Sequence, residues 1–230
     1  MIPKIIHYCW FGGNPKPKSV LDCIASWKRC CPDYEIREWN ETNFDTSVNS
    51  YCAQAYSMKQ WAFVSDVARV VALSTYGGIY MDTDVETVRN FDDLVHLPAF
   101  FGFEGTKWVA TSTMGAQAGN PVIETFKAFY SQRPFIKDDN SPDLYTNVRA
   151  LTDLLVSRYG VKLDGREQQH VYFRLFPTDF FTPYDYITGR LHKTENTHTI
   201  HWFGQSWIGV TSWKQKLAQM YHRFIGKKME

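Results

Sequence analysis

Between residues 53 and 86 the hydrophobic period changes once, and that change limits what the chain can fold into. Trp61, Val64, Val67, Ala68, Val71 and Ala72 recur at helical spacing, and the run stops at Tyr76-Gly77-Gly78. A short apolar stretch of strand character, Ile79-Tyr80-Met81, then leads into Asp82-Thr83-Asp84. A helix over 53–76, a glycine stop and a buried strand therefore deliver two carboxylates to a strand end. In an extended chain the side chains at i and i+2 share a face, so Asp82 and Asp84 converge while Met81 and Thr83 point away. All-oxygen ligation suits Mg²⁺ or Mn²⁺, whose shells are completed by water and substrate phosphate. The pair reads as a cation site for a diphosphate-bearing substrate. A bare Asp-x-Asp is also what a hydrated acidic turn looks like, so the surrounding chain has to decide.

Asp66 and Arg69 lie three apart on the same helix and share a face. Arg69 offers a planar fork to a phosphate, and Asp66 orients it or accepts from a sugar hydroxyl; an ordinary surface ion pair is the plainer reading. The rest of the chain alternates strand and helix. Ile2–Trp10 reads as a strand, Gly12 to Pro17 as a loop, 19–28 as a helix and Glu35–Trp39 as a second strand. Strands are expected over Phe100–Phe103 and Trp108–Thr113, with helices over Ile123–Phe129, opened by Asn120-Pro121, and over Asn147–Tyr159, closed by Gly160. Residues 137–146 form a polar loop. This β-α-β order predicts an α/β fold with a mostly parallel central sheet flanked by helices. Ligands then gather at the carboxyl ends of the strands, where Trp10 and Asp82–Asp84 both fall.

Ser65-Asp66-Val67-Ala68-Arg69, Tyr76-Gly77-Gly78-Ile79-Tyr80 and Asp82-Thr83-Asp84 together resemble the core block of glycosyltransferase family thirty-two. Ile2 to Gly13, Ser26-Trp27-Lys28 and Pro32-Asp33-Tyr34 resemble its first strand, nucleotide loop and first helix. Thr199-Ile200-His201-Trp202 and Ser206-Trp207 resemble its closing signature. The resemblance implies a GT-A-type nucleotide-sugar-binding fold and a metal-dependent transferase that retains anomeric configuration. Either a covalent glycosyl-enzyme or same-face attack within an ion pair gives that outcome. It implies Mn²⁺ or Mg²⁺ on Asp82 and Asp84, with His201 as a third ligand, and Trp10 stacked on the base. By the same resemblance Ser65, Arg69, Tyr80, Asp82, Ser206 and Trp207 are expected to line the nucleotide sugar, and Asp66 to hold the sugar hydroxyls. The implied donor is a UDP-hexose (galactose, glucose or an N-acetyl form), with GDP-mannose as the alternative. The implied acceptor is a glycan or lipid-linked oligosaccharide of bacterial capsule or lipopolysaccharide assembly. Glu104 is a candidate acceptor contact. At Thr111–Gly115 many relatives carry an asparagine that this chain lacks, so no acceptor residue is assigned.

The remaining features exclude other classes. At 230 residues and 44% hydrophobic content the chain suits one α/β domain, expected over 1–212. A formal net charge of +1 argues against nucleic acid. Five cysteines, all between Cys9 and Cys52 and without Cys-x-x-Cys spacing, predict neither a disulfide framework nor a zinc site. No leader or long apolar span is evident, so a cytoplasmic location is expected. Residues 213–230 read as a basic amphipathic helix, with Leu217, Met220, Tyr221 and Phe224 on one face, suited to the domain itself or to an anionic membrane surface. A phosphohydrolase would require more metal ligands, and a non-catalytic nucleotide-sugar binding module would not require the metal pair.

Overall fold

The computed structural model describes residues 1–204. Ser206, Trp207 and the helix expected over 213–230 lie outside the described residues. In chain order the elements are β1 (Ile5–Cys9), α1 (Lys18–Cys30), β2 (Glu35–Trp39), α2 (Ser50–Ser57), α3 (Trp61–Tyr76), β3 (Gly78–Met81) and β4 (Val85–Thr87). Then come β5 (Ala99–Glu104), β6 (Trp108–Val109), β7 (Thr113–Ala116), α4 (Pro121–Ser131) and α5 (Asn147–Tyr159). The last are β8 (Gln168–Gln169), β9 (Arg174–Phe176), α6 (Thr178–Phe181), β10 (Tyr184–Asp185), β11 (Arg190–Leu191) and β12 (Thr199–His201).

The main sheet runs β2-β1-β3-β7-β5-β9-β8, with β6 on β5. β1 pairs parallel with β2 and β3, and β5 with β9, while β7 is antiparallel to both its neighbours. β1, β2, β3, β5 and β9 therefore all point the same way. Trp10, Asp82 and Glu104 end up together because they stand at the carboxyl ends of β1, β3 and β5.

Alternation along each strand divides the core in two. Cys9 and Tyr80 face a layer built by α2–α5, with Val64, Val67, Leu73, Phe126 and Leu151. Ile6, Ile79 and Met81 face α1 and the chain after β4, with Trp27, Phe91 and Phe181. Each such fully buried apolar side chain contributes about 1.5–3 kcal/mol. No described helix is long and apolar enough to cross a membrane.

Three expectations need correcting. The helix expected over 53–76 is two. Asn49 caps α2 by accepting from Cys52 N at 2.8 Å. Gln60 N then closes back on Ala55 O at 2.9 Å, with Lys59 in the left-handed region at φ 55°. The strand expected over 108–113 is also two: β6 forms a hairpin with β5, residues 110–112 interrupt the ladder, and β7 resumes pairing with β5 three positions out of register. Finally, Asp82 and Asp84 do not converge through an extended strand. Val85 N bonds back to Asp82 O at 3.0 Å, so the pair sits in a tight turn between β3 and β4.

The glycine that opens β3 is required. Gly78 sits at φ 107°, and a Cβ there would lie 2.7 Å from the Ile5 carbonyl oxygen. Only a bare backbone lets β3 lie this close to β1.

Candidate active site

The Asp82–Asp84 turn opens on a cleft of about 580 Å³ lined on its other sides by Trp10, Ser65, Asp66, Arg69, Tyr80 and His201. Every site residue suggested by the sequence and described in the structure is in or at this cleft. His201 arrives from the far end of the chain. β12 pairs antiparallel with β4, His201 opposite Val85, and Trp202 N bonds to Asp84 O at 3.0 Å.

Asp82, Asp84 and His201 each present a ligand atom, and these atoms lie within 4.8 Å of one another. His201 Nε2 is 3.4 Å from Asp84 Oδ1, and Gly204 N donates to Asp84 Oδ2 at 2.8 Å. Burial pushes the His201 imidazole down, yet the adjacent Asp84 outweighs it and holds the ring at about 9. Burial also acts to raise Asp84, but His201 and the Gly204 N–H keep it below the usual carboxylate range. Two carboxylates and one imidazole form a donor set that fits a Mn²⁺-type cation, which accepts oxygen and nitrogen together. His201 Nδ1 is buried without a hydrogen bond among the described residues, 3.9 Å from Glu104 Oε2.

Behind this cluster is a buried charge network. Arg69 Nη2 is 3.1 Å from Asp66 Oδ1 and 3.2 Å from Asp82 Oδ1. Its Nη1 donates to Thr111 O at 3.0 Å and its Nε to Ser65 O at 3.4 Å. The guanidinium carbon lies 4.5 Å from the Tyr80 ring centroid, and Tyr80 Oη donates to Asp82 Oδ1 at 2.9 Å. Two of the five N–H donors of Arg69 are hydrogen-bonded within the protein, and its Nη2 is ion-paired to both carboxylates. Its fork faces carboxylates and carbonyls, so its geometry is that of a group that sets Asp82 in place. At an effective dielectric of about 20 each charge pair attracts by roughly 5 kcal/mol, and desolvating each ion costs several kcal/mol. Such a network contributes more to placement than to stability.

Asp66 sits deepest. Burial raises its carboxyl to about 7, against the pull of Arg69. Asn147 Nδ2 donates to Asp66 Oδ1 at 2.6 Å from the first turn of α5. Asn147 was not suggested by the sequence, where it reads only as a helix start. The need of a buried carboxylate for a neutral donor was the available signal. Nor did the sequence single out Tyr186 and Phe203, whose rings lie 4.7 Å apart at the cleft rim, with Phe203 also 3.9 Å from the His201 ring. At the opposite wall Trp10 is half-buried, and its indole N–H donates to Asn14 O at 2.6 Å.

Comparison with known proteins follows the same geometry. The family described as the glycosyltransferase sugar-binding region containing the DXD motif matches residues 17–100. Over 130 residues the chain is 32% identical to inositol phosphoceramide mannosyltransferase 3 of Schizosaccharomyces pombe, covering 53% of this chain and 35% of that protein. Over 145 residues it is 27% identical to mannosyl phosphorylinositol ceramide synthase CSH1 of Saccharomyces cerevisiae, covering 56% and 36%. The match thus spans about a third of the length of these curated relatives. Among solved structures, PaToxG Glycosyltransferase aligns with a TM-score of 0.58 at 16% identity, over 69% of this chain and 70% of that one. That likeness is one of fold.

Proposed function

Because the chain carries the DXD-containing sugar-binding region of glycosyltransferases on a glycosyltransferase fold, we propose that it is a metal-dependent, retaining hexosyltransferase acting on a nucleoside-diphosphate sugar. The convergence of Asp82, Asp84 and His201 within 4.8 Å of one another, in a cleft walled by Trp10 and Asp66, carries the reading. A divalent cation on these three groups, Mn²⁺ or Mg²⁺, would neutralise charge on the departing diphosphate.

The chain's own residues do the rest. Trp10 offers its ring to the base. Arg69 and Tyr80 fix the Asp82 carboxylate from behind, so it does not reorganise as charge develops. Asp66, oriented by Asn147, accepts from hydroxyls of the transferred sugar. In transfer, the bond from the anomeric carbon to the phosphate oxygen breaks with its electron pair going to the diphosphate. The acceptor hydroxyl oxygen bonds to that carbon, and its proton passes to the departing diphosphate. The acceptor is a glycan or lipid-linked oligosaccharide, the class that the family resemblance implies.

The donor has two readings. The resemblance supports UDP-galactose, UDP-glucose or their N-acetyl forms. GDP-mannose is supported by the two fungal relatives, both named for mannosyl transfer to inositol phosphoceramides. Release of nucleoside diphosphate from a panel of these donors, with Mn²⁺, Mg²⁺ or chelator, decides between them. One donor is expected to be hydrolysed slowly with metal, and Asp84→Asn to abolish this without unfolding the protein. Turnover undiminished in chelator or in Asp84→Asn would remove the metal mechanism.

A further inference from the structure

Beside the cleft lies a second concavity of about 370 Å³, formed by β6, residues 144–149 and Tyr186. The two share Glu104, Thr146, Val148 and Tyr186, so they make one continuous depression with a carboxylate at the junction. Trp108 lines the far part and is 41% exposed, although its neighbour Val109 is fully buried. Among the six described tryptophans, the indole N–H groups of Trp10, Trp27, Trp39 and Trp202 each donate a hydrogen bond. Those of Trp61 and Trp108 donate none among the described residues, and one lines each concavity. Trp108 also meets no other described ring. A large amphipathic ring with a free donor on a concave wet surface adds little to the core and is well suited to a ligand.

Arg149 lies in the same groove. Its guanidinium carbon is 5.0 Å from the Tyr145 ring centroid, and its nearest carboxylate, Asp153, is 3.8 Å away. The Tyr145 hydroxyl already donates to Asp153. A stacked guanidinium with a distant, shared counter-charge keeps N–H groups for an anion.

We propose that this groove is the acceptor subsite and that it takes a sugar ring bearing a negative group. The C–H face of the ring lies on Trp108, a hydroxyl meets Glu104 at the junction, and the anionic substituent pairs with Arg149. The proposal rests on the nucleotide-sugar reading of the adjoining cleft.

Titration calorimetry with UDP or GDP and Mn²⁺ in excess tests it. The probes are methyl glucoside, glucose 6-phosphate and glucuronate, and their mannose counterparts, on wild type, Trp108→Ala and Arg149→Gln. At least one anionic sugar is expected to bind wild type about tenfold more tightly than the neutral glycoside. Trp108→Ala should weaken both about tenfold, and Arg149→Gln should erase the preference while nucleotide affinity stays constant. If the phosphate or the carboxylate form alone is preferred, that form names the substituent. Equal affinity of neutral and anionic sugars overturns the charge part, and unchanged sugar affinity in Trp108→Ala overturns the subsite. A protein that binds nucleotide with Mn²⁺ but no sugar removes this proposal alone. One that binds neither removes the donor reading with it.

Discussion

Arg69 shows what a single residue contributes here. It joins Asp66, Asp82, Thr111 and Ser65 through one planar group, and no other side chain has that geometry. Arg69→Met leaves two carboxylates unbalanced in the interior and is expected to cost about 3–5 kcal/mol, seen as a melting temperature lowered by roughly 10 °C. Arg69→Lys keeps the charge and loses the fork. Asp82 then drifts, and nucleoside diphosphate release should fall about a hundredfold, the scale of a one-ångström misplacement; near-normal turnover would return Arg69 to the scaffold. In the sequence, Asp66, Arg69, Asp82 and Asp84 were legible through the family resemblance, because their short spacings alone fit an ordinary ion pair and an acidic turn equally well. Asn147 was not, because its partner is 81 positions away. A hydrogen bond over that distance leaves no local pattern.

At the level of elements, residues whose backbone angles were forced were readable and those set by long-range pairing were not. α5 runs from Asn147 to Tyr159 as its periodicity suggests and stops at Gly160, whose φ of 69° needs no Cβ. The break between α2 and α3 was hidden, because Lys59 carries no glycine signal although it sits at φ 55°. Lys59→Gly should relieve that strain and stabilise by about 0.5–1 kcal/mol, raising the melting temperature by roughly 1–4 °C. An unchanged or lower melting temperature would mean that the lysine stem makes up the difference. β7 went unseen for another reason. Residues 108–113 read as one strand, and only the three-residue slip in register along β5 divides β6 from β7.

For the molecule as a whole, two buried groups set opposing slopes of stability against pH. His7 is fully buried, with Trp39 Nε1 donating to its Nδ1 at 3.1 Å and its Nε2 2.8 Å from Gly77 O. These partners hold the neutral ring, and burial lowers its folded value to about 4. Its contribution is present above about 6.5 and is lost as pH falls toward 4. Asp66 behaves oppositely. With a folded value of about 7 its contribution is present below about 3.9 and is lost as pH rises toward 7. Over pH 4–6.5 the two slopes cancel in wild type. Relative to wild type, Asp66→Asn should gain stability with rising pH, up to about 4 kcal/mol by pH 8 without metal, and should lose activity. His7→Gln should lose stability with rising pH across the same window. Denaturant melts at pH 4, 5, 6 and 8 measure both; parallel curves for all three proteins would show that neither group titrates differently on folding.

The pairing of β12 with β4 also has a consequence for synthesis. During translation the two carboxylates emerge more than a hundred residues before His201, and the strand carrying that histidine completes the site by lying beside β4. On the proposed metal reading, a nascent or prematurely released chain holds two of the three ligand groups, and a ribosome that stalls before residue 199 yields a product without His201. Competence for the proposed cation capture would in this way be a record of how far the chain has been made.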